Sequence, residues 1–260
     1  MTSLLRARPS LRRVASLVSG LVTLLLVPFA AASSDAELLK KFNEDSARIR
    51  QQMAGNSAPE KLIVLIQEQK QLQEKLLAEI SAEMQPMLTV VFAVITPLQE
   101  NGEAYVRRVA QIVQSGKADF STISRQEEID ERRQEFQDML TANLELLDQI
   151  NAIENDAEKA LAKTKLSEKD KREFLRSFSA KMSSTIGPMR AIRALDTKMI
   201  ELWFQQLDLL KAEWGRWTGQ KQVINFENPE ANERYQEASS ALVTLADRQV
   251  QAQQLLVNRL

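Results

Sequence analysis

Glycine and proline are scarce after residue 32, and this scarcity constrains the fold more than any other feature of the chain. Only six glycines and five prolines occur there, and most lie where helices are expected to end. Between them, apolar residues recur every three or four positions, which is typical of amphipathic helices. The pattern predicts an all-α fold: an elongated antiparallel helical bundle with long coiled-coil-like helices.

Capping motifs predict where the helices begin. Four pairs have the three-residue spacing of a capping box, in which two side chains satisfy free backbone N–H groups: Ser34 with Glu37, Ser57 with Glu60, Ser124 with Glu127, and Ser167 with Asp170. Asn228 followed by Pro229 predicts the start of a last helix. The segment from Ser124 to about Lys165 contains no glycine or proline, so it predicts a helix of about 40 residues, about 60 Å long.

Breaks between helices are predicted from the remaining prolines and glycines. Gly187 and Pro188 predict a break or kink, followed by a helix from Met189 to about Thr218. The sequence QKQVINFENP after Gly219 predicts an irregular or briefly extended connection. Gly116 ends another helical pattern, and the loop that follows makes residues 116–124 a candidate internal boundary.

The segment Met84–Gln99 is the longest uncharged run after residue 32. Pro86 is expected to interrupt the preceding helix, and Thr96 with Pro97 to start a new one. The run is shorter than the ~20 residues that a membrane-spanning helix requires. Two interpretations stay open: a buried core segment, or a surface that meets a membrane or a partner. The candidate interaction surface consists of Met87, Val91, Phe92 and Ile95, together with Trp214 and Trp217.

Residues 1–32 have the three zones of a secretory signal peptide: arginines, an apolar centre, and small residues before Asp35. Ala30 and Ala32 fit the cleavage pattern, which places the start of the mature chain at Ser33. We therefore expect export to the periplasm or beyond, and prefer this to an uncleaved N-terminal membrane anchor. Residues 33–260 are then expected to form a single helical-bundle domain.

Residue types exclude most catalytic chemistry. The chain contains no histidine and no cysteine, which leaves no imidazole base, no thiolate nucleophile and no usual zinc site. We expect no catalytic residues, no metal and no cofactor. Removal of residues 1–32 takes away four arginines and no acids, which leaves 30 basic and 35 acidic side chains. This acidic balance argues against nucleic acid as a partner.

Charge is unevenly distributed. Residues 127–158 contain eleven acids and two bases, whereas residues 159–198 contain eleven bases and four acids. One interpretation is internal, with the acidic and basic helices lying side by side as a hairpin. The other is a contact with anionic lipid, lipopolysaccharide or cell-wall polymer through seven basic residues near the turn: Lys159, Lys163, Lys165, Lys169, Lys171, Arg172 and Arg176.

Two functional hypotheses follow. The first is an exported non-enzymatic scaffold, adaptor or accessory protein of the bacterial cell envelope, whose partner is another envelope protein or a second copy of the chain. The alternative is a membrane-active protein that inserts residues 86–97, a plan that resembles α-helical pore-forming toxins in architecture only. The three tryptophans, in the stripe from Ile200 to Trp217, are interpreted as core positions or, at Trp217, as a half-exposed interface anchor.

Overall fold

The computed structural model describes residues 33–55 and 59–257. This part of the chain forms six α-helices, a short 3-10 helix and one two-stranded hairpin, so the all-α class is confirmed. The elements are α1 (Ser33–Gly55), α2 (Pro59–Glu79), α3 (Gln85–Gln114), the 3-10 helix (Phe120–Thr122), α4 (Glu127–Ala162), α5 (Glu168–Ala212), β1 (Trp217–Gln220), β2 (Val223–Phe226) and α6 (Pro229–Val257). The predicted signal peptide lies outside the described residues.

Each helix runs antiparallel to the next one in the chain. Asp130 on α4 contacts Lys211 on α5 at 2.7 Å, whereas Asn143, further along α4, contacts Thr197, which comes earlier on α5. Contacts between the other neighbouring helices have the same reversed order. Between α1 and the α2 region they are Asp35 with Ser81 and Ser46 with Gln69; between α2 and α3, Lys70 with Glu103 and Gln73 with Gln99. Between the α3 region and α4 they are Arg108 with Asp138 and Lys117 with Glu135; between α5 and α6, Asp196 with Gln249 and Gln206 with Ser239.

Two large apolar clusters form the core. The first cluster contains the start of α3, the end of α4 and the start of α5, with Ile95, Ala157 and Phe174 fully buried. The second cluster contains the other ends of these helices, the hairpin and the start of α6, with Phe136 and Leu207 at its centre. The antiparallel register places the two clusters at opposite ends of the helices.

Two prolines that were expected to divide helices lie inside continuous helices instead. Pro97 is within α3 and Pro188 within α5, so the predictions of a new helix at Thr96 and of a separate helix from Met189 are wrong. A proline leaves the carbonyl four residues earlier without its N–H donor, at a cost of about 3 kcal/mol. The residues at those positions, Ala93 and Ser184, are both exposed.

Several predicted boundaries are confirmed. Ser167 caps α5, since its hydroxyl accepts a hydrogen bond from the Asp170 N–H at 3.2 Å. Asn228 precedes Pro229 at the start of α6 and accepts from the Glu230 N–H at 3.0 Å. An interruption near Pro86 is present, but it comes earlier than expected: α2 ends at Glu79, and Pro86 lies in the first turn of α3.

Other boundaries differ from prediction. Ser124 pairs with Glu128, one residue beyond the predicted Glu127, while the Ser34 and Ser57 capping boxes involve side chains outside the described set. Helix α5 ends at Ala212, short of Thr218, so Trp217 lies in a strand rather than on the helix.

The connection after α5 is an antiparallel hairpin, in which Trp217 pairs with Phe226 and Gln220 with Val223. The brief extended segment was therefore predicted correctly. Lys221 and Gln222 form its two-residue turn with φ angles of 49° and 68°. The 3-10 helix lies against it so closely that a Cβ on Gly219 would be 2.6 Å from the Ser121 carbonyl oxygen.

The loop before α4 is fixed by Arg132, which is buried. Its guanidinium donates to the carbonyl oxygens of Lys117 and Asp119 at 2.9 and 2.6 Å, and to the Thr122 hydroxyl at 2.8 Å. Burial lowers the pKa of Arg132, but the group stays charged at neutral pH. Residues 116–124 are therefore a well-anchored loop that packs into the second cluster.

Candidate functional site

The apolar segment lies in the first cluster. Val91, Phe92 and Ile95 are 1 %, 6 % and 0 % exposed, and Met87 is half-buried. All four pack between helices, which gives them a structural role in this conformation. Their use as an interaction surface would require the segment to leave the core, and it stays a prediction. Among the described helices, none combines the length and apolar character needed to cross a membrane.

The basic turn, Lys159–Arg176, is a surface feature. Six of its seven predicted contact residues are exposed, and Lys171 is half-buried. Lys159 and Lys171 form local ion pairs with Asp156 and Glu168, at 3.6 and 3.0 Å. Of the ion pairs within the described residues, none involves the other five, which are Lys163, Lys165, Lys169, Arg172 and Arg176.

The acidic and basic helices are neighbours, as the internal interpretation expects, but their ion pairs lie elsewhere. The described pairs between α4 and α5 join Asp130 with Lys211 and Arg133 with Asp208. Both are near the hairpin, far along the helices from the basic turn. Neighbouring helices therefore leave the cations of the turn open to solvent.

Trp214 and Trp217 form a half-buried pair beside the second cluster. Their rings meet edge-to-face with centroids 5.7 Å apart, and the Trp217 indole N–H donates to the Leu210 carbonyl at 3.0 Å. They lie with the second cluster, whereas Met87 to Ile95 lie with the first. The structure thus separates the six predicted interaction residues into two groups.

A cleft of about 570 Å³ lies between the hairpin, the 3-10 helix and α6. Its wall includes Phe120, Trp203 and Tyr235, and its rim includes Lys221. Gln206 donates to Ser239 across the wall at 2.8 Å. The lining residues include one acid and one base, Asp119 and Lys221.

A polar layer separates the two apolar clusters. Its centre is the ion pair of Arg193 with Asp196, at 2.8 Å and with both side chains less than 5 % exposed. Asn143 on α4 donates to the Arg193 carbonyl at 3.0 Å and accepts from its guanidinium at 3.2 Å. Gln249 on α6 donates to Asp196. The Arg193 guanidinium lies 4.8 Å from the centre of the Tyr105 ring on α3.

The layer continues into the first two helices. Gln69 donates to Ser46 at 3.0 Å, and Gln73 donates to Gln99 at 3.2 Å, with all four side chains buried. Polar partners therefore occur at this level on all six helices. Buried groups of this kind are stable only when paired, so they restrict which faces of the helices can meet.

Burial changes the protonation chemistry of the layer. Desolvation raises the pKa of Asp196, opposed by Arg193 and by hydrogen bonds from Tyr105 and Gln249. Burial also raises the pKa of Tyr105 well above its usual value, and the Asp196 charge adds to this. The groups of the layer are closed to solvent and pair with one another, which gives them a structural role in this conformation.

No protein-family model, curated protein or solved structure matches this chain.

Sequence reasoning missed both the cleft and the polar layer. The cleft depends on a hairpin whose strands have only four residues each, too short for a clear alternation. In the sequence, the acid Asp196 lies one helical turn before the apolar stripe that begins at Ile200, and this position was a signal for the layer.

Proposed function

We propose that this chain is an exported, non-enzymatic scaffold or adaptor protein of the bacterial cell envelope. We further propose that its helices form an elongated antiparallel bundle with coiled-coil-like packing, which presents long exposed faces to partners. The observation that carries the proposal is helix length. Helices α4 and α5 contain 36 and 45 residues, which correspond to about 54 and 67 Å.

The sequence of residues 1–32 fits an export signal, which supports the envelope location.

Electrostatics support a role without catalysis. Asp196, an acid whose pKa is raised by burial, lies in a buried ion pair instead of facing a cleft, where a catalytic group would be expected.

Position-specific photo-crosslinking in the producing cell tests the adaptor role. Val223 is 49 % exposed and lies on β2 beside the cleft, and an exposed large apolar side chain is a reasonable contact position. A photoreactive residue there is expected to give a discrete crosslinked species. The matched control is the exposed polar position Thr244 on α6. Crosslinks of equal intensity at both positions, or none at either, would contradict the adaptor role at this end.

Cell fractionation and N-terminal mass spectrometry test export separately. We expect the chain in the envelope fraction, starting at Ser33. A chain found in the cytoplasm with residues 1–32 intact would overturn the envelope location.

The membrane-active alternative is tested by dye release from liposomes. Insertion requires Val91 and Ile95, now 1 % and 0 % exposed, to leave the first cluster. Leakage caused by the wild-type chain and abolished by Val91→Asp in a still-folded protein would favour insertion over the scaffold role.

A further inference from the structure

We propose that the basic turn Lys159–Arg176 binds the surface of a membrane that contains anionic phospholipids, and that it does so at the same end of the molecule where residues 1–32 join α1. This inference rests on the proposed envelope location and adds to it an orientation and a lipid partner.

Charge is the first observation. Residues 159–176 contain seven bases and three acids, Glu168, Asp170 and Glu173. Asp170 is engaged with Ser167 at the helix start, and Glu168 with Lys171. The five cations without a described ion pair are all exposed. Exposed lysines and arginines near one another are attracted to the negative potential of an anionic leaflet, within roughly a Debye length of 8–10 Å.

The antiparallel register provides the second, independent observation. Asp35 at the start of α1 accepts hydrogen bonds from the backbone N–H and hydroxyl of Ser81, at 3.2 and 2.5 Å. Ser81 lies just before α3, and the start of α3 shares the first cluster with Leu161 and Phe174 from either side of the basic turn. The first residue of α1 and the basic turn are therefore at the same end.

This coincidence has a physical consequence. Until residues 1–32 are removed, their entry into a membrane during export holds the adjacent start of α1, and with it the basic turn, close to the lipid headgroups. The opposite end, with the hairpin and the tryptophan pair, then points away from the bilayer and is free for a protein partner.

Vesicle binding tests the inference. The protein is purified from the producing cell in the processed form found there. It is mixed with vesicles of phosphatidylcholine, either alone or with about one third phosphatidylglycerol. We expect binding to the anionic vesicles at low salt, and a fall of about tenfold or more as salt screens the charges. Equal binding to both kinds of vesicle, or no binding at low salt, would overturn the proposal.

Charge reversal locates the binding surface. Lys165→Glu with Lys169→Glu is expected to reduce binding to anionic vesicles about tenfold or more. The matched control reverses the exposed bases Lys198 and Arg248, which lie outside the turn, and should change binding less than about twofold. An equal loss in the control would mean that net charge alone governs binding, and would refute a site at the turn. Because fractionation reports export and vesicles report lipid binding, failure of either proposal is seen independently of the other.

Discussion

Arg193 and Asp196, three residues apart on α5, form an ion pair at 2.8 Å that is almost completely closed to solvent. On either side of this pair the core is apolar, with Ile192 in the first cluster and Ile200 in the second. A sliding of α5 by one helical turn would separate the pair from Asn143 and Gln249, its partners on α4 and α6. The pair therefore acts against alternative registers of long helices that could otherwise slide past one another.

Removal of one member of this pair should be strongly destabilising. Asp196→Ala leaves the buried Arg193 guanidinium without its counter-charge, and we expect a loss of about 3–5 kcal/mol in the free energy of unfolding. Urea denaturation measures this loss. The double variant Arg193→Met with Asp196→Leu should recover most of it, because no buried charge is left unpaired.

The exposed ion pair of Asp130 with Lys211 is the matched control for that experiment. It also joins α4 and α5, at 2.7 Å, but both side chains are about half exposed. Lys211→Ala should cost less than about 1 kcal/mol. A loss for Asp196→Ala no larger than for Lys211→Ala would show that the polar layer contributes little to stability.

Alkaline pH should destabilise the fold through its tyrosines. The chain has two, Tyr105 and Tyr235, and burial raises the pKa of both above the ordinary value. Between the unfolded and folded pKa values the folded chain binds more protons, so this stability is complete below about pH 10 and is lost as pH rises further. Each tyrosine should contribute a fall of about 1.4 kcal/mol per pH unit there.

Absorbance of tyrosinate checks this directly. Tyrosinate should form only together with loss of helical circular dichroism. Tyr105→Phe should reduce the alkaline fall in the free energy of unfolding by about 1.4 kcal/mol per pH unit, the contribution of one tyrosine. Tyrosinate formation in the folded protein near pH 10 would contradict the prediction.

The sequence predicted helices well where local signals determine them. Ser167 and Asn228 are capping residues whose effect is local, and both mark real helix starts. Pro97 and Pro188 were misread because the outcome depends on tertiary packing. Each removes one helical hydrogen bond at a site where the residue four positions earlier is exposed, while buried neighbours such as Ile95 and Ile192 keep the helix in place.

The candidate site was less predictable, for the same reason. The basic turn could be read from charge alone, and six of its seven bases are exposed. The polar layer could not, because its members come from six helices and are polar residues that elsewhere in this chain face water. Only the register of the helices brings Asn143, Asp196 and Gln249 to one level.

The hairpin turn offers a stabilising substitution. Lys221 and Gln222 both have positive φ, which favours asparagine and glycine. Lys221→Asn with Gln222→Gly should raise the free energy of unfolding by about 0.5–1 kcal/mol. The Gln222 N–H that donates to the Ser121 hydroxyl belongs to the backbone and is retained. Thermal unfolding measures the change.

Gly219→Ala is the contrasting variant in the same hairpin. Its Cβ would meet the Ser121 backbone at 2.6 Å, so the 3-10 helix or the strand must move and stability should fall. A neutral Gly219→Ala would show that the hairpin is not packed against the loop in solution.

The apolar segment of α3 distinguishes core from surface by a pair of neighbouring substitutions. Val91 is 1 % exposed and Ala93 is at an exposed position on the same helix. Val91→Asp should destabilise the protein by more than about 4 kcal/mol, because it places an unpaired carboxylate in the first cluster. Ala93→Asp should cost less than about 1 kcal/mol, mainly through lower helix propensity. Urea unfolding measures both, and a similar, small loss for the two variants would mean that this face of α3 is open in solution, which is the arrangement a membrane-inserting segment requires.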